Sequence, residues 1–154
     1  MIEIFSATKD DIPTLIKLRF DFLESEYGQI SHNDKQAFEQ QMFTYFDEHL
    51  ESGYFHASVA KLGSEIVSVA FLVIYDMPAA PAFPSGRAGT ILNVLTYPAF
   101  QRQGYATKVM EHLFAFAKKR NVSSLRLNAT AKGEALYESM GFEHTSHPAM
   151  TLSL

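Results

Sequence analysis

The chain's 154 residues, 47% of them hydrophobic and 19% charged, suffice for one domain, 1–154, with its own core. It has no cysteine, which excludes disulfides, thiolate metal sites and a cysteine nucleophile. The formal charge of −4 argues against a nucleic-acid binder, which needs a basic face, and leans weakly towards a cationic partner.

Ile2 to Phe5 reads as a first strand. Lys9, Asp10 and Asp11 follow too soon for an export signal. No apolar stretch nears the ~20 residues that span a bilayer, so a soluble cytoplasmic protein is expected. Thr8 to Asp11 resembles a capping box, and Pro13 is tolerated in a first helical turn. Ile12, Leu15, Leu18, Arg19, Phe22 and Leu23 then recur at helical spacing. A second helix starts near Asn33-Asp34, with Phe38, Met42, Tyr45, Phe46 and Leu50 as its apolar stripe. Most of the aromatics in these helices read as core. Tyr54 to Leu62 and Ile66 to Tyr75 form a hairpin about Gly63-Ser64. Met77 to Ala88 carries Pro78, Pro81, Pro84 and Gly86, and is a candidate substrate-facing loop.

Gly89 to Thr96 is an apolar strand that ends before Pro98. Tyr105 to Arg120 is a helix with apolar Ala106, Val109, Met110, Leu113, Phe116 and Ala117. Ser124 to Ala129 is a short strand. Glu134 to Met140 is a short helix stopped by Gly141. Phe142–Thr145 and Ala149–Leu154 read as two final strands. The last alternates apolar and polar residues, and such an edge invites pairing into a homodimer. The order of elements predicts a mixed α/β layer fold.

The stretch most suggestive of chemistry is 96–107. A strand enters a polar turn, Gln101-Arg102-Gln103-Gly104, and the turn opens a helix at Tyr105-Ala106-Thr107. The free N–H groups of a first helical turn make an anion site suited to phosphate. Gly104 permits close approach or an unusual φ, Arg102 adds charge and Thr107 a hydroxyl. Taken alone, the turn reads more readily as a tight connection with no ligand. It is neither a dinucleotide fingerprint nor a P-loop.

Pro98 followed by Gln101-Arg102-Gln103-Gly104-Tyr105-Ala106 resembles the acetyl-coenzyme A motif of the GNAT superfamily, Arg/Gln-x-x-Gly-x-Gly/Ala. Leu136-Tyr137-Glu138-Ser139-Met140-Gly141-Phe142 resembles that superfamily's Leu-Tyr-x-x-x-Gly-Phe. The resemblance runs from about Gly89 to Phe142. It implies an α/β GNAT-like fold: a mixed, mostly antiparallel sheet of about six or seven strands, about four flanking helices, and splayed fourth and fifth strands. It implies acetyl-coenzyme A as co-substrate, with no metal. Val94, Leu95 and Thr96 would hold the pantetheine arm through their backbone. Arg102, Gln103, Gly104, Tyr105, Ala106 and Thr107 would cradle the pyrophosphate. Tyr137 would protonate the departing thiolate.

The family often has Asn seven residues before the tyrosine, where this chain has Thr130, also a candidate cofactor contact. Many members carry a catalytic carboxylate on the fourth or fifth strand. Gly89–Thr96 and Ser124–Ala129 have none, so the general base is open. Outside the motif, Tyr137 would read as a core aromatic. Arg19, Glu24 and Asp76 are possible acceptor contacts or ordinary surface charges. The six histidines show no metal spacing and read as solvent-facing. The expected activity is acetyl transfer to a small-molecule primary amine. The alternatives are a protein lysine or N-terminal acetyltransferase, and a non-catalytic acyl-coenzyme A-binding module. Neither nucleic acid nor membrane is an expected partner.

Overall fold

The computed structural model describes residues 1–154. In chain order it comprises β1 (Ile2–Ser6), α1 (Ile12–Tyr27), α2 (His32–His49), β2 (Phe55–Leu62), β3 (Glu65–Asp76), β4 (Arg87–Thr96), α3 (Tyr105–Lys119), β5 (Ser124–Arg126) and α4 (Glu134–Ser139). The five strands form one mixed sheet in the order β1-β2-β3-β4-β5. The first three pairings are antiparallel and β4–β5 is parallel. No helix is long and apolar enough to cross a membrane.

Local chemistry sets the element ends. The Thr8 N–H donates to Asp11 Oδ2 at 2.8 Å, and the Asp11 N–H donates to the Thr8 carbonyl, which closes the turn before α1. Ser31 Oγ caps α2 by accepting the Asp34 N–H at 3.2 Å. The β2–β3 hairpin turns at Gly63, whose φ of 60° suits glycine.

Strand alternation divides the core between the two faces of the sheet. Val69 and Phe71 of β3 face α1 and α2, where they meet Leu15, Leu18, Phe46 and Phe55. Ala70, Leu72 and Ile74 face α3 and pack on Val109, Met110 and Leu113. Of the stripe expected on α2, Phe46 is buried and Met42, Tyr45 and Leu50 pack partly buried against this core, whereas Phe38 is exposed.

The two final strands do not form, and the sheet has five strands rather than six or seven. Residues 142–154 lie outside any strand, and Met150, Leu152 and Leu154 are exposed. Alternation alone does not make a strand; a partner backbone must be available, and β5 offers only three residues, with Pro148 removing a donor from the tail. The strand edge behind the homodimer expectation is therefore absent. The strand expected over Ser124–Ala129 ends at Arg126. The histidines are not all solvent-facing either. His56 is 4% exposed, stacks on Phe116 at 3.9 Å between ring centroids, and shares the Ser58 hydroxyl with His112.

Candidate active site

The site is built around a break in the sheet. β4 pairs with β5 only at Ala88–Ser124, Gly89–Leu125 and Thr90–Arg126. Beyond Thr90, β4 continues for six residues with no neighbour on that side. A cavity of about 410 Å³ occupies the divergence. Its lining includes Thr90–Val94 of β4, Arg126–Asn128 and Thr130 after the parting, Arg19, Glu26 and Tyr27 of α1, and Tyr137 of α4.

β4 itself is irregular here. Its register against β3 slips between Phe71–Leu92 and Val69–Leu95, and Asn93 has a φ of 57°. This is a β-bulge at a fully buried polar residue. Asn93 Nδ2 donates to the Leu18 carbonyl at 3.3 Å, and its Oδ1 accepts from Arg19 Nη1 at 3.3 Å. The bulge is thereby fastened to α1. A second tie lies at the strand's end, where the Tyr97 hydroxyl donates to Asp21. Burial first, then this carboxylate, raises the Tyr97 pKa.

The three β4 residues expected along the cofactor arm are not equivalent. The Leu95 carbonyl accepts from Ser68 Oγ at 3.1 Å and so faces β3. The Thr96 carbonyl accepts from Gln101 Nε2 at 3.0 Å. Alternation then leaves the backbone of Val94 and the N–H of Thr96 on the open side. That edge is where an extended ligand could pair.

At the start of α3, Arg102 and Gly104 both have left-handed backbone, with φ of 62° and 84°. None of the six N–H groups from Arg102 to Thr107 has an acceptor within the chain. Alternating handedness of this sort turns successive N–H groups into one concavity, an anion nest at the positive end of α3. A Cβ at Gly104 would meet nothing within 4 Å, so glycine serves the φ and not the space. Lys132 Nζ donates to Gln101 Oε1 at 3.2 Å, which brings a further cation to the residue before Arg102. These residues fit a pyrophosphate. They lie outside the cavity lining, beyond the end of β4.

Tyr137 reaches the cavity from a six-residue helix, which needs outside support. The Phe142 N–H donates to the Tyr137 carbonyl at 3.0 Å and the Gly141 N–H to the Glu138 carbonyl at 3.1 Å. With Gly141 at φ 99°, this is a Schellman closure, and it returns the Phe142 ring edge-on to Tyr137 at 5.9 Å. The Leu-Tyr-x-x-x-Gly-Phe pattern thus has a mechanical content: glycine reverses the chain so that phenylalanine steadies the tyrosine. Behind the ring, Gly133 leaves no room for a Cβ. The Tyr137 hydroxyl has no hydrogen bond within the chain and is not sealed from solvent. Burial, with the Glu26 charge adding to it, raises its pKa, so it stays a protonated donor.

Thr130, expected as a cofactor contact, also has a structural task. Its Oγ1 accepts the Gly133 N–H at 3.2 Å, and its carbonyl accepts from Gly133 and Glu134. It shapes the approach to α4, although it also borders the cavity. Sequence reasoning missed Asn93, Glu26 and Gly133. A lone Asn inside an apolar strand pattern was the one available signal.

The sequence matches the Acetyltransferase (GNAT) family over residues 16–142. A predicted acetyltransferase from Clostridium acetobutylicum, whose crystal structure contains acetyl-CoA, superimposes with a TM-score of 0.87 at 26% identity, covering 99% of this chain and 96% of that one. A GCN5-related N-acetyltransferase from Ralstonia eutropha JMP134 gives a TM-score of 0.83 at 20% identity, covering 99% of each chain. A [ribosomal protein bS18]-alanine N-acetyltransferase of Escherichia coli (strain K12) is 38% identical over 60 residues, which span 37% of this chain and 40% of that relative's length. The motifs, the parted strands and a family match over most of the chain agree: it belongs to the GNAT family of acetyl-CoA-dependent N-acetyltransferases.

Proposed function

We propose that the chain transfers an acetyl group from acetyl-CoA to the primary amine of a small molecule, by direct attack of the amine on the thioester. The observation that carries this reading is the alignment of three features along one path. The anion nest of 102–107 comes first, then the free edge of β4, then a cavity bordered by Tyr137. A pyrophosphate in the nest and a pantetheine arm paired with Val94 would bring a thioester to the cavity. Backbone N–H groups of the β4 bulge would face the developing oxyanion. Tyr137 would supply the proton to the leaving thiolate.

Magnitudes constrain the two proton transfers. An unperturbed tyrosine near 10 gives its proton to a thiolate near 8.5 at a cost of about 2 kcal/mol. Burial of Tyr137 raises that cost. On the other side, the amine must be neutral. A lysine-type amine near 10.4 costs about 4.6 kcal/mol to deprotonate at pH 7, and an α-amine near 7.8 only about 1 kcal/mol. Glu26 is the sole carboxylate lining the cavity and is exposed. An amine of low pKa, or a water relay, therefore suits the site better than a lysine side chain.

The low cost of deprotonating an α-amine also suits a second reading, acetylation of a protein N-terminus, which the relative acting on ribosomal protein bS18 supports. Free thiol released from acetyl-CoA, followed over small amines and peptides with free N-termini, separates the two. Turnover confined to peptides would replace the small-molecule reading. Tight acetyl-CoA binding with no acetylation of any amine would leave a non-catalytic acyl-CoA-binding module instead.

A further inference from the structure

Arg19, Glu24 and Asp76 differ sharply in their partners. Glu24 is met by Lys35 Nζ at 3.0 Å and by the Ile30 N–H at 3.4 Å. Asp76 accepts from the Tyr54 hydroxyl and from Arg87 Nε at 2.8 Å. Both carboxylates are neutralised within the chain. Arg19 is not. Its guanidinium makes one hydrogen bond, from Nη1 to the neutral Asn93 Oδ1, and no carboxylate lies within ion-pair distance.

The setting makes this unusual. Arg19 is half-buried between α1 and the β4 bulge, and it lines the same cavity as Tyr137. A guanidinium carries five N–H donors in a planar fork that matches an oxyanion bidentately. Here one donor is occupied. Taking such a charge out of water without an anion is costly; burial accordingly presses its pKa down. Glu26 borders the cavity too, but forms no ion pair with Arg19. The pyrophosphate nest of 102–107 lies outside this cavity, so the phosphates of the co-substrate do not supply the missing anion.

We propose that Arg19 receives an oxyanion carried by the acceptor itself, so that the substrates of this site are amines bearing a carboxylate or a phosphate close to the reacting nitrogen. The inference rests on the reading of the cavity as the acceptor end of an acetyl-transfer site. Arg19 then acts in specificity. It anchors the acid group, and the anchored molecule's amine is directed towards the thioester between the bulge and Tyr137. Asn93 sets the direction of the fork by holding one of its nitrogens.

Matched pairs of acceptors test this with the full chain. Each pair differs only in the anion: an α-amino acid and its amide, and an amino sugar phosphate and the unphosphorylated amino sugar. Turnover is followed as released thiol, and binding to the coenzyme A complex by calorimetry. The anionic member of at least one pair should be favoured in kcat/KM by about ten- to a hundredfold, the usual weight of a charge-assisted hydrogen bond. The pair that discriminates identifies carboxylate or phosphate. In Arg19→Gln the discrimination should vanish through a raised KM, while acetyl-CoA affinity holds; Arg19→Lys, which keeps the charge and loses the fork, should retain part of it. Normal acetyl-CoA binding with no difference between pair members, in turnover or in binding, overturns the proposal alone. Failure to bind acetyl-CoA removes the acetyl-transfer reading, and this proposal with it.

Discussion

Gly133 stands directly behind Tyr137: a Cβ on it would lie 2.9 Å from Cε2 and 3.3 Å from Cζ of the ring. Its φ of −93° is open to any residue, so the glycine is there for space. Gly133→Ala should therefore push the ring, and with it the hydroxyl, out of its place while the backbone remains unstrained. A displacement of this size costs about a hundredfold in rate for a positioned catalytic group. Single-turnover acetylation by the alanine variant, with acetyl-CoA affinity as the control, checks it. An unchanged rate would show that the ring's position does not matter.

Tyr137→Phe keeps the edge-on contact with Phe142 and removes the hydroxyl. Because that hydroxyl has no partner within the chain, stability should change by less than about 1 kcal/mol. The chemical step should slow by about 10²–10⁴-fold if Tyr137 donates the proton. Since burial holds the group above its ordinary pKa, the wild-type rate should show no loss from tyrosine ionisation below about pH 10. Wild-type turnover in the variant, with chemistry rate-limiting, would reduce Tyr137 to a packing residue.

Gly104→Val should cost cofactor affinity through backbone strain alone. Its Cβ would touch nothing, but a φ of 84° is hostile to a β-branched residue. The N–H groups of the nest would rotate away from a common focus. Calorimetry should register a loss of at least tenfold in acetyl-CoA affinity, with Gly104→Asn milder because Asn tolerates left-handed backbone. Equal affinity for all three proteins would dismiss this turn as the phosphate site.

Stability should fall on mild acidification because of His56. Burial, then the charges of His112 and Arg120, lower its pKa to about 4 from an ordinary 6.5. The unfolded chain therefore takes up a proton near pH 6.5 that the folded chain refuses until about pH 4. Stability is full above that window, declines as pH drops through it, and levels off below. Between pH 7 and pH 5 the loss is about 2 kcal/mol. His112, whose pKa is also lowered by burial, acts in the same sense. Urea midpoints at the two pH values measure the slope, which His56→Gln should flatten.

The sequence carried the helical and strand periods of 1–129 well because each amphipathic face found the partner it was patterned for. α3 is the clearest case: Val109, Met110, Leu113 and Ala117 are all buried. The tail was misread for the complementary reason. Its alternation matched a strand, but the pairing it required depends on how far β5 extends, which is a tertiary fact. The anion nest and Tyr137 were legible because backbone geometry and sequence are tied there through glycine. Arg19 was among the residues singled out, but its tie to Asn93 was not legible, since the two lie 74 residues apart and their relation exists only once α1 packs on the bulge.

The parting of β4 from β5 has a consequence for the unliganded protein. Over a six-residue stretch of β4, alternate residues present unpaired main-chain groups along one side, a template that an extended chain could join. On the proposed placement, a pantetheine arm laid there would complete the sheet, and the co-substrate would double as a removable strand. Ligand at a hundred times its Kd adds about 2.7 kcal/mol to folding stability. The protein's resistance to aggregation should therefore follow the acetyl-CoA supply around it, which makes the metabolic state of its surroundings a determinant of its solubility.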